Sequence, residues 1–215
     1  MTPSSSKKPY KILIDSSHNE RVKKFPEKIF KKSEFLFDFT SGADFLANGD
    51  ELKKFDAIII GDPKPKTKNE RLFTAEEISA IKKYVKEGGR LLITSGARGD
   101  YALAETLGSL RAFYGISGVV QYHYAVLYHS APECNFESKM CLTIPNIPKH
   151  PIFSNFTNED RLIFGKSTYL TLHPDSKAKV LLNTPKGSKS HSYPNKEKQA
   201  VDDVSLLVCN KYHDG

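Results

Sequence analysis

The sequence predicts an α/β fold: a mostly parallel sheet with helices on both faces, followed by extra strands in the C-terminal half. Three observations carry this. Short apolar runs end abruptly in polar or glycine-containing turns, as in "YKILIDSS" at 10–17 and "AIIIGDP" at 57–63, the pattern of strands buried on both faces. Amphipathic segments of helical period separate those runs. Strand and helix signals alternate from residue 10 to residue 115, which is the mark of a covered parallel sheet. A chain of 215 residues suits one large α/β domain, or one domain with an appendage.

Taken in order, residues 1–9, "MTPSSSKKP", read as a disordered arm, with no apolar stretch behind the lysines to make a secretory signal. The run from Tyr10 predicts the first strand, with Asp15, Ser16, Ser17 and His18 in the loop at its carboxyl end. "NERVKKFPEKIFKKSEF" at 19–35 is amphipathic and helical in part, with a break at Pro26. "FLFDFT" is a second strand, and Ala57 to Ile60 a third that Gly61-Asp62-Pro63 ends sharply. A lysine-rich loop leads to the clearest helix, "TAEEISAIKKYVKEGG". Thr74 and Glu77 form a capping box there, with Phe73 and Ile78 at the staple positions. Ile78, Ile81 and Val85 give a core-facing stripe, and Gly88-Gly89 a left-handed stop. "RLLIT" follows as a strand running into the turn "SGARGD". Asp100 can cap a further helix carrying Leu103, Leu107 and Leu110 and ending at Gly115.

The second half reads as strands: "VVQYHYAVLYH", with Tyr122, Tyr124 and Tyr128 on one face, then "RLIFGKSTYLTL", "AKVLLNTP" and "VSLLVCNKY". The stretch near 184–203 is polar and predicts a mobile loop. The last residues, "KYHDG", read as a turn, which predicts a strand beyond Gly215 and places residues 10–215 in a single domain cut short at its C-terminus.

Composition narrows the function classes. No apolar run approaches the ~18 residues of a membrane span, so a cytoplasmic location is expected. Cys134, Cys141 and Cys209 are odd in number and match no zinc spacing. His123 and His129 stand six residues apart on one predicted strand, too far to share an ion along an extended chain; no metal and no cofactor are expected. The net charge of +7 comes from lysines scattered over what would be solvated helix faces. Without a reading motif this makes nucleic-acid binding a minor alternative.

The order strand, "GDP" turn, capped helix, "GG", strand and glycine-rich turn resembles the class I glutamine amidotransferase-like fold, a three-layer, flavodoxin-like arrangement. Gly61-Asp62-Pro63 corresponds loosely to the first turn of that family. Thr94 to Gly99, "TSGARG", lies where the family carries its nucleophile turn, and no cysteine stands on it. A closer likeness is to the non-enzymatic GIFT domains of intraflagellar transport proteins and of gliding- and ABC-transport-associated proteins. It rests on "FTAEEISAIKKYVKEGGRLLITSGARGD", "LRAFYGI", "HPIF" at 150–153 and "VLLNTPKGS" at 180–188. That resemblance implies a non-catalytic module that binds a protein partner, or a small polar or sugar-like ligand, at the carboxyl edge of the strands.

The candidate ligand-binding residues at that edge are Asp15, Ser16, His18, Gly61, Asp62, Ser95, Gly96 and Arg98. Open α/β sheets bind ligands there, although Asp15 with its serines could equally make an Asx turn and a cap. The enzyme alternative uses Ser95 as nucleophile with His173 ("TLHPD") or His191 ("SHSYP") as base. A hydroxyl needs such a base to attack near neutral pH. Ile93 and Ala97 occupy the glycine places of a G-x-S-x-G elbow, so Ser95 has no catalytic signature.

Overall fold

The computed structural model describes residues 8–20, 34–40, 42, 44–63, 72–95, 110–123, 125–128, 141–144, 146–157, 159–165, 167–192 and 198–211. The N-terminal arm, the segment with Pro26, the turn carrying Gly96 and Arg98, the Asp100 helix, Tyr124 and His129 lie outside the described residues, in whole or in most of their length. The chain divides into two compact units, 1–94 and 95–214, taken here in turn.

In the first unit, β1 (Tyr10–Ile14), β2 (Phe35–Phe39), β3 (Ala57–Gly61) and β4 (Arg90–Thr94) form one sheet in the order β2-β1-β3-β4. Every pairing is parallel, with Ile12 opposite Phe37 on one side and Ala57 on the other. The parallel α/β reading therefore holds. Leu13, Ile14, Ile58 and Ile60 are buried, together with Leu46 and Leu52 from the short α1 (Gly49–Leu52) and the 3-10 turn before it. Asn48 caps α1 through its side-chain oxygen. The chain leaves β1 toward β2, then crosses back to β3 on β1's other flank. The reversal lies between the carboxyl ends of β1 and β3, where sheets of this kind open a ligand crevice.

Helix α2 (Ala75–Lys86) starts where the sequence places it. Thr74 Oγ1 accepts from Glu77 N at 3.1 Å, and Glu77 Oε2 accepts from Thr74 N at 2.8 Å. Thr74→Ala is expected to lose about 1 kcal/mol of stability, read as a lower urea midpoint; an unchanged midpoint would contradict this role for the cap. The buried stripe of α2 is Glu77, Ile81 and Tyr84, while Ile78 and Val85 flank it half-buried. Gly88 (φ 99°) makes the left-handed stop. Gly89 lies against the Tyr84 ring, where a side chain would collide with it. Asp62 ends β3 in a left-handed conformation (φ 51°) and donates its N–H to the Thr94 carbonyl at 3.0 Å.

In the second unit a 3-10 turn (Leu110–Phe113) leads into α3 (Tyr114–Ser117). Gly115 lies inside this helix; the stop is Gly118, at φ 74°, because only there does the chain enter the left-handed region that glycine tolerates. Nine strands follow: β5 (Val119–Tyr122), β6 (Ala125–Tyr128), β7 (Cys141–Ile144), β8 (Leu162–Gly165), β9 (Leu170–Leu172), β10 (Lys179–Asn183), β11 (Lys189–Ser192), β12 (Lys198–Ala200) and β13 (Ser205–Cys209) among the described residues. Their pairings are antiparallel, in the orders β10-β13-β9-β5, β12-β11-β6 and β7-β8. Leu127, Leu142, Ile144, Phe153, Leu182, Val201 and Leu206 make the core of this half.

Two expectations change here. The single strand read in "VVQYHYAVLYH" is two, β5 and β6, in different sheets. The break falls at His123, whose N–H bonds Tyr169 O at 3.0 Å and whose carbonyl accepts from Thr168 Oγ1. The stretch near 184–203, expected as loop, holds strand in part, since it contains the β11–β12 pairing. Its inward residues are Thr184, Ser188 and Ser190, all buried. Thr184 bonds the backbone of Val201 and Val204, and Ser188 that of Pro185. Small hydroxyls take the place of apolar side chains, so the stretch reads as loop by composition although Lys189–Ser192 and Lys198–Ala200 pair as strands.

Candidate functional site

The residues with the most unusual surroundings gather at the carboxyl end of β1, in the first unit. Asp15 continues the strand, donating its N–H to Ile59 O at 2.9 Å, and its side chain is fully buried. One carboxylate oxygen, Oδ1, accepts from Ser17 N (3.1 Å), Ser17 Oγ (2.7 Å) and Thr40 Oγ1 (3.1 Å). The first of these is the Asx turn anticipated from the sequence. The other oxygen, Oδ2, faces His18 Nδ1 at 2.7 Å. Ser16 ties the neighbouring strand in, its Oγ donating to Thr40 O at 2.7 Å and its N–H to Thr40 Oγ1 at 2.8 Å.

Asn19 has a left-handed backbone (φ 54°), a conformation asparagine tolerates better than most residues. The loop can thereby curl, so that His18 and Glu20 both turn toward Asp15. The His18 side chain is 10% exposed and those of Asp15 and Glu20 are 0% exposed. Its ring rests on Phe73, with centroids 4.4 Å apart. Its second nitrogen, Nε2, lies 3.3 Å from Glu77 Oε1, within ion-pair distance. Glu77 is thus both the helix cap and the far wall of the site. Glu20 Oε1 accepts from His18 N at 3.0 Å, while its Oε2 is buried without a hydrogen-bond partner.

The electrostatics follow from this crowding. Burial pulls the His18 imidazole down, but the hydrogen bond and charge of Asp15, with the charge of Glu77, outweigh it and raise its pKa to about 10. Burial pushes Asp15 up, yet its contacts to His18, Glu20 and Ser17 hold it well below the usual carboxylate range. Glu20 is pushed up to about 8, by burial first and by the adjacent Asp15 carboxylate second. The shifts favour a protonated imidazole against the Asp15 carboxylate, beside a Glu20 carboxyl that keeps its proton.

Other expected residues stand differently. Gly61 ends β3 opposite Thr94, and Asp62 follows it at the same sheet edge. Ser95 Oγ is buried and has no hydrogen-bond partner; among the described residues no imidazole bonds it. His173 is 44% exposed, with Nδ1 accepting from Asp175 N at 3.2 Å and its ring 6.1 Å from Tyr114. His191 pairs through its backbone with Val126 and Lys198. Glu20, Thr40 and Glu77 were missing from the sequence-based set. Glu77 carried one signal, its capping-box position, but nothing local tied it to a histidine 59 positions earlier.

No family model matches the chain, and no curated protein does. Among solved structures, it is similar to the mmIFT52 N-terminal domain, with a TM-score of 0.62, 14% identity and 88% of each chain covered. It is also similar to a ThuA-like protein from Bacteroides uniformis, with a TM-score of 0.57, 19% identity, 98% of this chain covered and 82% of that one. Both likenesses are of fold, and together they place the chain's architecture with an IFT52 N-terminal domain and a ThuA-like protein.

Proposed function

We propose that this chain is a non-catalytic, GIFT-like binding domain of a cytoplasmic assembly, holding a protein partner at the carboxyl edge of its parallel sheet. A small polar or sugar-like ligand is the other occupant that edge could take. The fold likeness to the mmIFT52 N-terminal domain supports the assembly role. The observation that carries the non-catalytic reading is at Ser95, where the family resemblance expects the nucleophile. Among the described residues its hydroxyl is buried and has no hydrogen-bond partner. Attack needs a base in reach of that oxygen and the base needs a third group to orient it.

The test is a comparison of the protein with Ser95→Ala, assayed on activated esters and on glutamine. Equal turnover at the level of buffer is the expected result. A rate that exceeds background and falls in the variant would restore the hydrolase reading. For the binding role, the chain in a native extract should elute with an assembly larger than itself, and Ser95→Ala should elute identically. Elution as a lone 24.1 kDa species would remove the assembly reading.

A further inference from the structure

The loop after β1 carries more carboxylate than its own hydrogen bonds use. Three acidic side chains, from Asp15, Glu20 and Glu77, surround one imidazole in a site nearly closed to water. Asp15 Oδ1 is taken by Ser17 and Thr40, Glu20 Oε1 by the His18 N–H and Glu77 Oε2 by the Thr74 N–H. Among the described residues Glu20 Oε2 is buried with no hydrogen bond, and Glu77 Oε1 has only the His18 ring nitrogen at 3.3 Å. Buried carboxylate oxygens are costly unless paired, hydrogen-bonded or bound to a metal.

We propose that Asp15, His18 and Glu20 form a binding site for a divalent transition-metal ion, Zn2+ or Mn2+, with Glu77 as a positioning residue behind the histidine. The three residues each offer one donor atom, and these lie within 4.8 Å of one another. His18 Nδ1 is 2.7 Å from Asp15 Oδ2 and 3.6 Å from Glu20 Oε1. Donors on bonds of about 2.1 Å stand about 3.0–3.4 Å apart around such an ion, so small side-chain rotations suffice to admit it. A set of two carboxylates and one imidazole suits Zn2+ and Mn2+ better than a soft ion that wants thiolates.

The outer contacts have the form metal sites use. A ligating histidine commonly directs its second ring nitrogen at a carboxylate, which fixes the ring; here Nε2 faces Glu77 Oε1 at 3.3 Å. Ligating carboxylates are themselves held by hydrogen bonds; here Ser17 and Thr40 hold Asp15 by Oδ1, leaving Oδ2 toward the histidine. Phe73 backs the ring. The site does not depend on the assembly role proposed above, since a cation could order this loop whether or not a partner docks beside it.

The experiment is a titration of the chelator-stripped chain with Zn2+ alone, competed against a chromophoric chelator, and in parallel with Mn2+ followed by its spin-resonance signal. About one ion per chain is expected, with a rise in melting temperature. Glu20→Gln, which preserves shape, should abolish the stoichiometric binding. Glu77→Gln should weaken it about 10–100-fold. His173→Ala, in the other unit, should leave it unchanged. X-ray absorption of the Zn2+-loaded protein should show one imidazole nitrogen among oxygen ligands, a readout that needs no variant to fold. Absence of stoichiometric binding, binding indifferent to Glu20→Gln, or a first shell without a histidine would overturn the proposal.

Discussion

Asp15→Ala is expected to destabilise the first unit by about 3–5 kcal/mol, the range for removing one partner of a buried ion pair. The loss has two parts. His18 keeps its ring against Phe73 and toward Glu77 but loses the carboxylate 2.7 Å from Nδ1, leaving a largely buried cation short of a counter-charge. Three donors, Ser17 N, Ser17 Oγ and Thr40 Oγ1, lose the acceptor they share. Because Asp15 sits at the end of β1 between β2 and β3, the damage should spread along the sheet. Faster amide exchange is expected at Leu13, Ile14 and Ile59. Asp15→Asn keeps the shape and one acceptor, so its loss should be smaller. Urea unfolding followed by circular dichroism gives the magnitude, and amide exchange gives the location. An Asp15→Ala protein within a few tenths of a kcal/mol of the parent would mean that the cluster is not a stabilising unit.

The difference between Asp15 and its partners shows what a linear sequence can carry. Asp15, Ser16 and His18 were legible because they follow directly on an apolar run, and the end of a buried parallel strand is a place physics makes special. The capping box at Thr74 and Glu77, the stop at Gly88 and the sharp end of β3 at Asp62 were legible for the same reason: each is a local rule satisfied within four residues. Glu20, Thr40 and Glu77 reach the site from the loop after β1, the end of β2 and the start of α2. Glu20 turns in from the same loop as His18 through the left-handed Asn19, but only the long-range order of the sheet brings Thr40 and Glu77 beside them. The second half illustrates a different loss. Thr184, Ser188 and Ser190 are buried, with the first two hydroxyls bonded to backbone, so a stretch that packs inward at β11 and the turn before it is written in residues that composition counts as polar.

The same cluster should give the metal-free first unit an uncommon dependence of stability on pH. Two groups have folded pKa values above their ordinary ones: Glu20, raised from 4.5 to about 8, and His18, raised from 6.5 to about 10. A raised value means the folded protein holds the proton more tightly than the unfolded chain does. The associated stability is then complete below the unfolded pKa and is lost as pH climbs through the folded one. Glu20 acts between pH 4.5 and about 8, and His18 between 6.5 and about 10. Each contributes a slope of up to about 1.4 kcal/mol per pH unit within its window, and the windows overlap from 6.5 to about 8. Asp15, held low, acts with the opposite sign and only on the acid side of 3.8. Stability should therefore be highest near pH 4 to 5 and decline steadily into alkali, whereas most proteins hold theirs between about pH 5 and 8. Amide exchange of β1 and β3, measured in chelator-treated protein from pH 4.5 to 10 and corrected for intrinsic rates, follows this unit alone. Glu20→Gln should flatten the lower part of the profile and leave the upper part, which belongs to His18. A parent profile level across neutrality, or a Glu20→Gln profile identical to it, would mean that the carboxyl beside Asp15 does not keep its proton in the folded state.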